Sequence, residues 1–192
     1  MKNRFVPVVP RRSGTRSGWR HALAAWGLCL GLLGLGALPA NAQNAPYDQV
    51  EQWLNAGEWT LALNEAQRWL AEHPRDPQMR FMRGVILTQQ GLTDEARQAF
   101  VALTREFPEL PEPHNNLAVI EAAAGRLAQA RESLLMAIRL NPAYATAHRN
   151  LGDVYLQLAA QSYRESLLQG GGTSAAVAHL QQVERLLTSP SR

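Results

Sequence analysis

Three residue types recur along this chain at one fixed spacing. The repeating positions are Gly57, Gly91 and Gly125; Ala62, Ala96 and Ala130; and Pro74, Pro108 and Pro142. A shared 34-residue period in Gly, Ala and Pro is typical of an array of helical hairpins. The period therefore predicts an all-α solenoid, but it does not identify a ligand.

Each repeated residue has a physical role in such a hairpin. The glycines end the first helix of each pair, where a left-handed backbone costs glycine least. The alanines allow two helices to approach closely, and the prolines stop the second helix because the preceding residue resists the α region. Asp76-Pro77 then restarts the chain, since Asp is a good N-cap and Pro suits the first helical position. Apolar residues at helical spacing predict a buried stripe, which comprises Leu117, Ile120, Leu127, Ala130, Leu134 and Ala137.

The repeat resembles the tetratricopeptide family, whose units read Trp-x2-Leu-Gly-x2-Tyr, then Ala-x3-Phe, then Pro. Leu151-Gly152-x2-Tyr155 carries the first-helix pattern, and Ala96-x3-Phe100 with Pro108 carries the second. We assign units to about 43–76, 77–110 and 111–144, with a partial unit at 145–169. The resemblance implies a right-handed solenoid and a non-catalytic role in protein binding.

The pattern breaks in the fourth unit, where no Gly turn follows Leu158. Helical spacing continues instead, which predicts one long helix over about 146–169. Gly170 to Gly172 form a linker, and Thr173-Ser174 cap a last helix near 174–187. The apolar side of this capping helix is expected at Ala178, Leu180, Val183, Leu186 and Leu187. Residues 170–192 thus comprise the linker, the capping helix and a tail.

The segment 1–42 has the three parts of a secretory signal peptide. A basic leader precedes an uncharged apolar run over 22–38, and Ala40-Asn41-Ala42 supplies the cleavage pattern. We therefore expect a periplasmic protein cleaved after Ala42; the alternative is an inner-membrane anchor formed by an uncleaved 22–38 segment. Cys29, the only cysteine, lies inside this run and is interpreted as an apolar filler.

The basic leader dominates the charge of the whole chain. Of 19 Lys plus Arg and 16 Asp plus Glu, six basic and no acidic residues lie before residue 43. Residues 43–192 therefore carry 13 basic and 16 acidic groups, a net charge of −3. The high isoelectric point belongs to the leader, so nucleic acid is not expected as a partner.

The resemblance also implies which residues face a partner, because positions 2, 5, 9, 12 and 13 of each unit line the family's concave groove. Carried over, the candidate binding residues are Gln78, Phe81, Val85, Thr88, Gln89, Asn115, Val119, Arg149 and Asp153, together with Glu112, Ala122, Ala123, Thr146, Leu156 and Gln157. This mixture of apolar and uncharged polar groups suits a peptide or a partner helix. One family mode grips a terminal carboxylate with Asn, Lys and Arg; here Asn116 and Asn150 match, but the lysines are absent.

No pattern in the chain indicates catalysis, a cofactor or a metal site. There is no Gly-x-Ser-x-Gly, no phosphate loop and no thiol after residue 42. His114 and His148 are one repeat period apart, so they are interpreted as one repeated position and not as metal ligands. Trp53, Trp59 and Trp69 lie in the first unit. We expect them to be core residues; the alternative is an exposed aromatic patch that contacts a partner.

The sequence leads to three functional hypotheses. The first is a non-catalytic scaffold of the bacterial cell envelope that binds a protein or peptide in its groove. The second is an accessory subunit of a cell-wall or envelope enzyme system acting in trans, because 111–167 resembles exported proteins in which repeats precede a separate domain. The third is a structural module that associates with itself.

Overall fold

A computed structural model describes residues 45–170 and 172–188. These residues form eight α-helices and no strand, which confirms the predicted all-α class. The helices are α1 (Tyr47–Ala56), α2 (Trp59–Glu72), α3 (Pro77–Gln89), α4 (Thr93–Glu106), α5 (Pro111–Ala123), α6 (Leu127–Leu140), α7 (Ala145–Leu168) and α8 (Ser174–Thr188). The segment 1–42, predicted as a signal peptide, lies outside the described residues.

The described residues divide into two compact bodies. The N-terminal body comprises residues 45–92 with α1 to α3, and the C-terminal body comprises residues 93–188 with α4 to α8. In the first, α2 packs against both α1 and α3. In the second, each helix from α4 to α7 packs against the next. The boundary between the bodies falls within the second predicted unit, which the repeat pattern does not predict.

The three repeated glycines end helices as expected. Gly57, Gly91 and Gly125 have φ of 78°, 76° and 76°, in the left-handed region. At the last of them, Gly125 N–H donates to the Ala122 carbonyl at 3.0 Å and Arg126 N–H donates to the Glu121 carbonyl at 2.9 Å. Because these bonds satisfy the last carbonyls of the helix, the chain can turn sharply into the next one.

One of the repeated histidines holds the turn that joins two units. The His148 Nε2–H donates to the Pro142 carbonyl at 2.9 Å, because a carbonyl can only accept. We call this bond the proline latch. His114 lies at the equivalent position of the preceding unit, near the Pro108 backbone, but its buried Nε2 has no hydrogen-bond partner among the described residues. The latch therefore gives His148 a structural role.

The C-terminal body is built on a core of small and branched residues. The repeated Ala130 is fully buried, as are Leu134 and Ala137 on the same helix. The buried members of this core are Ala118, Val119, Ala122, Ala130, Leu134, Ala137, Ala147, Leu151 and Val154. Tyr144 and Leu158 pack against the core from its partly buried edge. Small residues therefore lie where helices approach closely, as the sequence predicts.

One charged side chain lies inside the C-terminal body. Glu121 is only 6% exposed, and its carboxylate bonds to the Arg126 guanidinium. The Arg97 guanidinium lies 3.9 Å away on α4. Glu121 occupies the position at which the family pattern has Tyr, so here a buried carboxylate paired with an arginine replaces an aromatic ring. Removing the arginine would leave an uncompensated buried charge.

A carboxylate ties together the three helices of the N-terminal body. Asp76 caps α3 by accepting from Met79 N–H at 3.0 Å. Its other oxygen accepts from the Tyr47 hydroxyl at 2.5 Å and from the Trp69 indole N–H at 2.7 Å. Trp69 is therefore fixed by a polar bond, whereas Trp59 is 37% exposed. The expectation of a core position is thus wrong for Trp59.

The end of the chain follows the predicted long helix and capping helix. α7 extends over 24 residues, and α8 packs against it. Thr173 caps α8 by accepting from Ala176 N–H at 3.2 Å. The expected apolar side of α8 is wrong at Ala178, which is exposed, and at Leu186, which is 47% exposed. Among the described residues, no helix combines the length and hydropathy that crossing a bilayer requires.

Candidate functional site

In the N-terminal body, the candidate binding residues all lie on α3. Phe81 and Val85 are buried, so both are core residues. Gln78, Thr88 and Gln89 keep part of their surface exposed. Thr88 is held in place because its hydroxyl donates to the Gly84 carbonyl at 2.9 Å. On this helix the accessible candidates are therefore polar and uncharged.

In the C-terminal body, the candidate residues of α5 and α7 are joined by buried amides. Asn115 and Asn150 are both 0% exposed. The Asn150 side-chain amide donates to Asn115 Oδ1 at 3.0 Å, and the Asn115 amide donates to Asn116 Oδ1 at 3.3 Å. Buried amides that bond each other fix the positions of the helices that carry them. This amide chain therefore holds the first-helix faces of α5 and α7 in register.

The accessible candidate residues of the C-terminal body lie close in sequence to the asparagines of this amide chain. Arg149 is exposed, and Asp153, one turn further along α7, keeps part of its surface exposed. Val119 is buried in the core, as is Ala122, whereas Ala123 is exposed. Because Asn115 has amide partners on both sides, its role in the described residues is positional.

Glu112 and Tyr144 each carry a buried polar atom that the sequence does not predict, although Glu112 lies at a groove position. Glu112 Oε2 and the Tyr144 hydroxyl are both buried and have no hydrogen-bond partner among the described residues. Burial raises the pKa of Glu112, and its carboxylate also accepts from its own backbone N–H. Burial, followed by the charge of Glu112, raises the pKa of Tyr144. The tyrosine therefore stays a neutral hydroxyl.

The histidines and carboxylates of the described residues do not form a metal site. In the part of the chain that the structure describes, no group of three or more His, Asp or Glu side chains is arranged to hold an ion. Burial lowers the pKa of His114, and the nearby backbone of Pro108 opposes that shift. This is the behaviour of a half-buried helix histidine.

Comparison with known proteins gives the family. A family model for the tetratricopeptide repeat matches residues 47–111, and a second TPR repeat model matches residues 120–158. The TPR repeat-containing thioredoxin TTL4 of Arabidopsis thaliana is 32% identical over 103 residues. That alignment covers 54% of this chain and only 15% of the thioredoxin, so the likeness concerns the repeats.

Solved structures with the same fold are helical repeat proteins. A thermophilic TPR protein of Thermus thermophilus is 24% identical with a TM-score of 0.55, covering 74% of this chain and 81% of that one. The MamA protein is 19% identical with a TM-score of 0.53, covering 72% and 78%. The second TPR domain of human RPAP3, solved with an HSP70 peptide, is 14% identical with a TM-score of 0.53, covering 58% and 92%. With its repeated Gly, Ala and Pro positions, its helix pairs and two matching family models, this chain belongs to the tetratricopeptide repeat family.

Proposed function

We propose that this chain is a non-catalytic scaffold that binds a peptide or a partner helix on the first-helix faces of its units. TPR domains generally mediate protein–protein interaction, and one solved structure of similar fold holds a peptide. The observation that carries the proposal is the buried amide chain between Asn115 and Asn150, which fixes α5 and α7. A fixed pair of helices needs no backbone ordering on binding, which lowers the entropic cost of association.

The side chains on these faces suit a peptide better than a flat protein surface. Arg149 and Asp153 of α7 carry opposite charges and lie one helical turn apart. Gln78 and Gln89 of α3 offer amides that bond either strand or helix backbones. Directional polar groups of this kind give specificity, and the core of the scaffold gives rigidity.

The proposal places this scaffold in the bacterial cell envelope. Its support is the three-part leader of residues 1–42, with the Ala40-Asn41-Ala42 cleavage pattern. An exported scaffold would meet envelope proteins as its partners.

Site-specific crosslinking in intact cells tests the binding face. A photoreactive phenylalanine derivative replaces Arg149 in one variant and Leu135 in a matched control. Leu135 is 40% exposed on α6, a second helix of its pair, so it is equally accessible but lies on another face. We expect the probe at residue 149 to capture a discrete partner that the probe at residue 135 does not.

The identity of the captured protein separates the three functional hypotheses. Recovery of cell-wall enzymes supports the accessory role, and recovery of a second copy of this chain supports self-association. If the control position captures the same partner as residue 149, or if only the control captures one, the first-helix face is not the binding face.

A further inference from the structure

The long helix α7 continues beyond the part of it that belongs to the repeat. One unit earlier, α5 ends at Ala123, whose equivalent on α7 is Gln157. Residues 158–168 of α7 therefore have no counterpart on α5, and they lengthen the helix by about 16 Å. Gly170, with φ of 81°, then turns the chain, and α8 packs against α7.

Two side-chain contacts fix where α8 lies on this extension. The rings of Tyr163 and His179 are tilted against each other with their centroids 5.4 Å apart. The Arg164 guanidinium donates to Glu184 Oε1 at 2.6 Å, and both side chains of this ion pair stay about half exposed. Because only residues 169–173 join the two helices, α7 and α8 run antiparallel.

The face of α7 that carries the candidate binding residues continues into the extension. Thr146 and Asp153 are candidate groove residues, and Ala160 and Leu167 follow at the same seven-residue step. Seven residues are almost two turns of an α-helix, so all four lie along one face. The two residues that contact α8 come three and four positions after Ala160, so they share this face. α8 therefore lies on the continuation of the binding face.

Little buried surface holds α8 in this place. Ala176 is the only buried residue of α8, whereas Leu180, Val183 and Leu187 are partly buried. An exposed ion pair adds little to such a contact. Segments with few buried apolar residues are the ones that open first. The buried members of the C-terminal core all lie on α5, α6 and α7, so α8 can leave without disturbing that core.

We propose that α8 is a built-in occupant of the binding face of α7, and that the partner which displaces it is an amphipathic α-helix. This inference rests on the proposed scaffold function and specifies its partner class and its regulation. α8 is the template for the partner, which runs antiparallel to α7 and has a small residue at the position of Ala176. Charge complementarity adds a carboxylate facing Arg164, since this arginine loses Glu184 when α8 leaves.

Release of α8 changes the length of helix that the scaffold can hold. Within the repeat, the face runs from residue 146 to residue 157, a distance of about 16 Å. With the extension uncovered, it runs from residue 146 to residue 167, about 32 Å. A partner helix of some six turns can then lie along the whole face, whereas docked α8 restricts a partner to the shorter part.

A synthetic peptide with the sequence of residues 173–188 serves as the model of a partner helix. Its Kd for the full chain is measured by fluorescence anisotropy of the labelled peptide. The variant Ala176→Asp puts a charge at the buried contact and should release α8, and Leu180→Asp is a second release variant. Ala178→Asp is the matched control, because it makes the same change at an exposed residue of the same helix.

The peptide should bind both release variants at least about tenfold more tightly than wild type. An α8 that is docked about 90% of the time leaves only about a tenth of the molecules able to bind. Ala178→Asp should bind the peptide as wild type does. Adding Arg164→Glu to Ala176→Asp should weaken binding about threefold, and a peptide carrying Glu184→Arg should restore it. Circular dichroism should show that the release variants lose no more helix than α8 contributes.

Several results would overturn this inference while leaving the scaffold function in place. Equal binding to wild type and the release variants means that α8 does not occupy the face, and no binding to any of them means that the face accepts no such helix. An equal gain in Ala178→Asp reveals a general effect of added charge, and a larger loss of helix contradicts the independence of α8. Capture of a partner by the probe at residue 149 keeps the scaffold function in each case, and its absence refutes both.

Discussion

Removal of the Asp76 carboxylate gives the sharpest test of how the N-terminal body is held together. Asp76 caps α3 and accepts from Tyr47 of α1 and Trp69 of α2, so all three helices meet at one side chain. The loss of an N-cap costs about 1 kcal/mol. The two side-chain bonds add about 1 kcal/mol each for a part-buried carboxylate. Asp76→Ala should therefore reduce the free energy of unfolding by about 3 kcal/mol.

A double-mutant cycle separates this bonding from a general effect of substitution. Tyr47→Phe removes one hydroxyl and should cost about 1 kcal/mol in wild type, but almost nothing once Asp76 is Ala. Urea unfolding followed by far-ultraviolet circular dichroism measures all four proteins. Tyr155→Phe is the matched control, since Tyr155 is 48% exposed and should change stability by less than about 0.5 kcal/mol. A coupling energy below about 0.3 kcal/mol would refute the reasoning.

Three further predictions concern two glycines, a half-buried histidine and the leader. Gly125→Ala should destabilise the fold by about 1 kcal/mol because φ is +76° at this residue. Gly152 lies inside α7 with open space around it, so Gly152→Ala should be neutral or stabilising by up to about 1 kcal/mol. Urea unfolding of both variants checks the contrast. Burial lowers the pKa of His114, so the unfolded chain binds a proton at this residue at a higher pH than the folded chain does, and the free energy of unfolding should fall as the pH drops below about 6.5. Thermal unfolding measured against pH should show a flatter profile in His114→Gln than in wild type. An unchanged profile would contradict a lowered pKa for His114. Mass spectrometry of the protein recovered from whole cells should find Gln43 as its first residue, and an intact leader would favour the anchor instead.

The helix ends were predictable because the residues that cause them act locally. A Gly that ends a helix and a Pro that stops one act on their own backbone, so the repeat period translates directly into helix ends. The break after Leu158 was equally visible, since no Gly or Pro follows it before Gly170. The expectation for α8 fails at Ala178 and Leu186 because helical spacing defines an apolar stripe without saying how much of it a single neighbour, α7, can cover.

The candidate site was less predictable because it depends on contacts between residues far apart in sequence. The family positions identify Asn115 and Val119 as groove residues, yet both are buried. The amide bond between Asn115 and Asn150 joins residues 35 positions apart, and no spacing rule distinguishes it from two solvated amides. Tyr144 lies at the last position of its unit, outside the groove pattern, so the burial of its hydroxyl emerges only from packing.

The proline latch has a consequence for how this chain can diversify. Asp76, Leu110 and Tyr144 occupy one position of successive units, immediately before a first helix. Only Asp76 caps its helix with a side chain; Leu110 and Tyr144 do not. At the last of these joints His148 secures the turn through the Pro142 carbonyl instead, so Tyr144 is not needed as a cap. A joint held by a histidine thus leaves the position before its helix open to other residue types, and at Tyr144 that freedom supplies an aromatic ring that packs against the core.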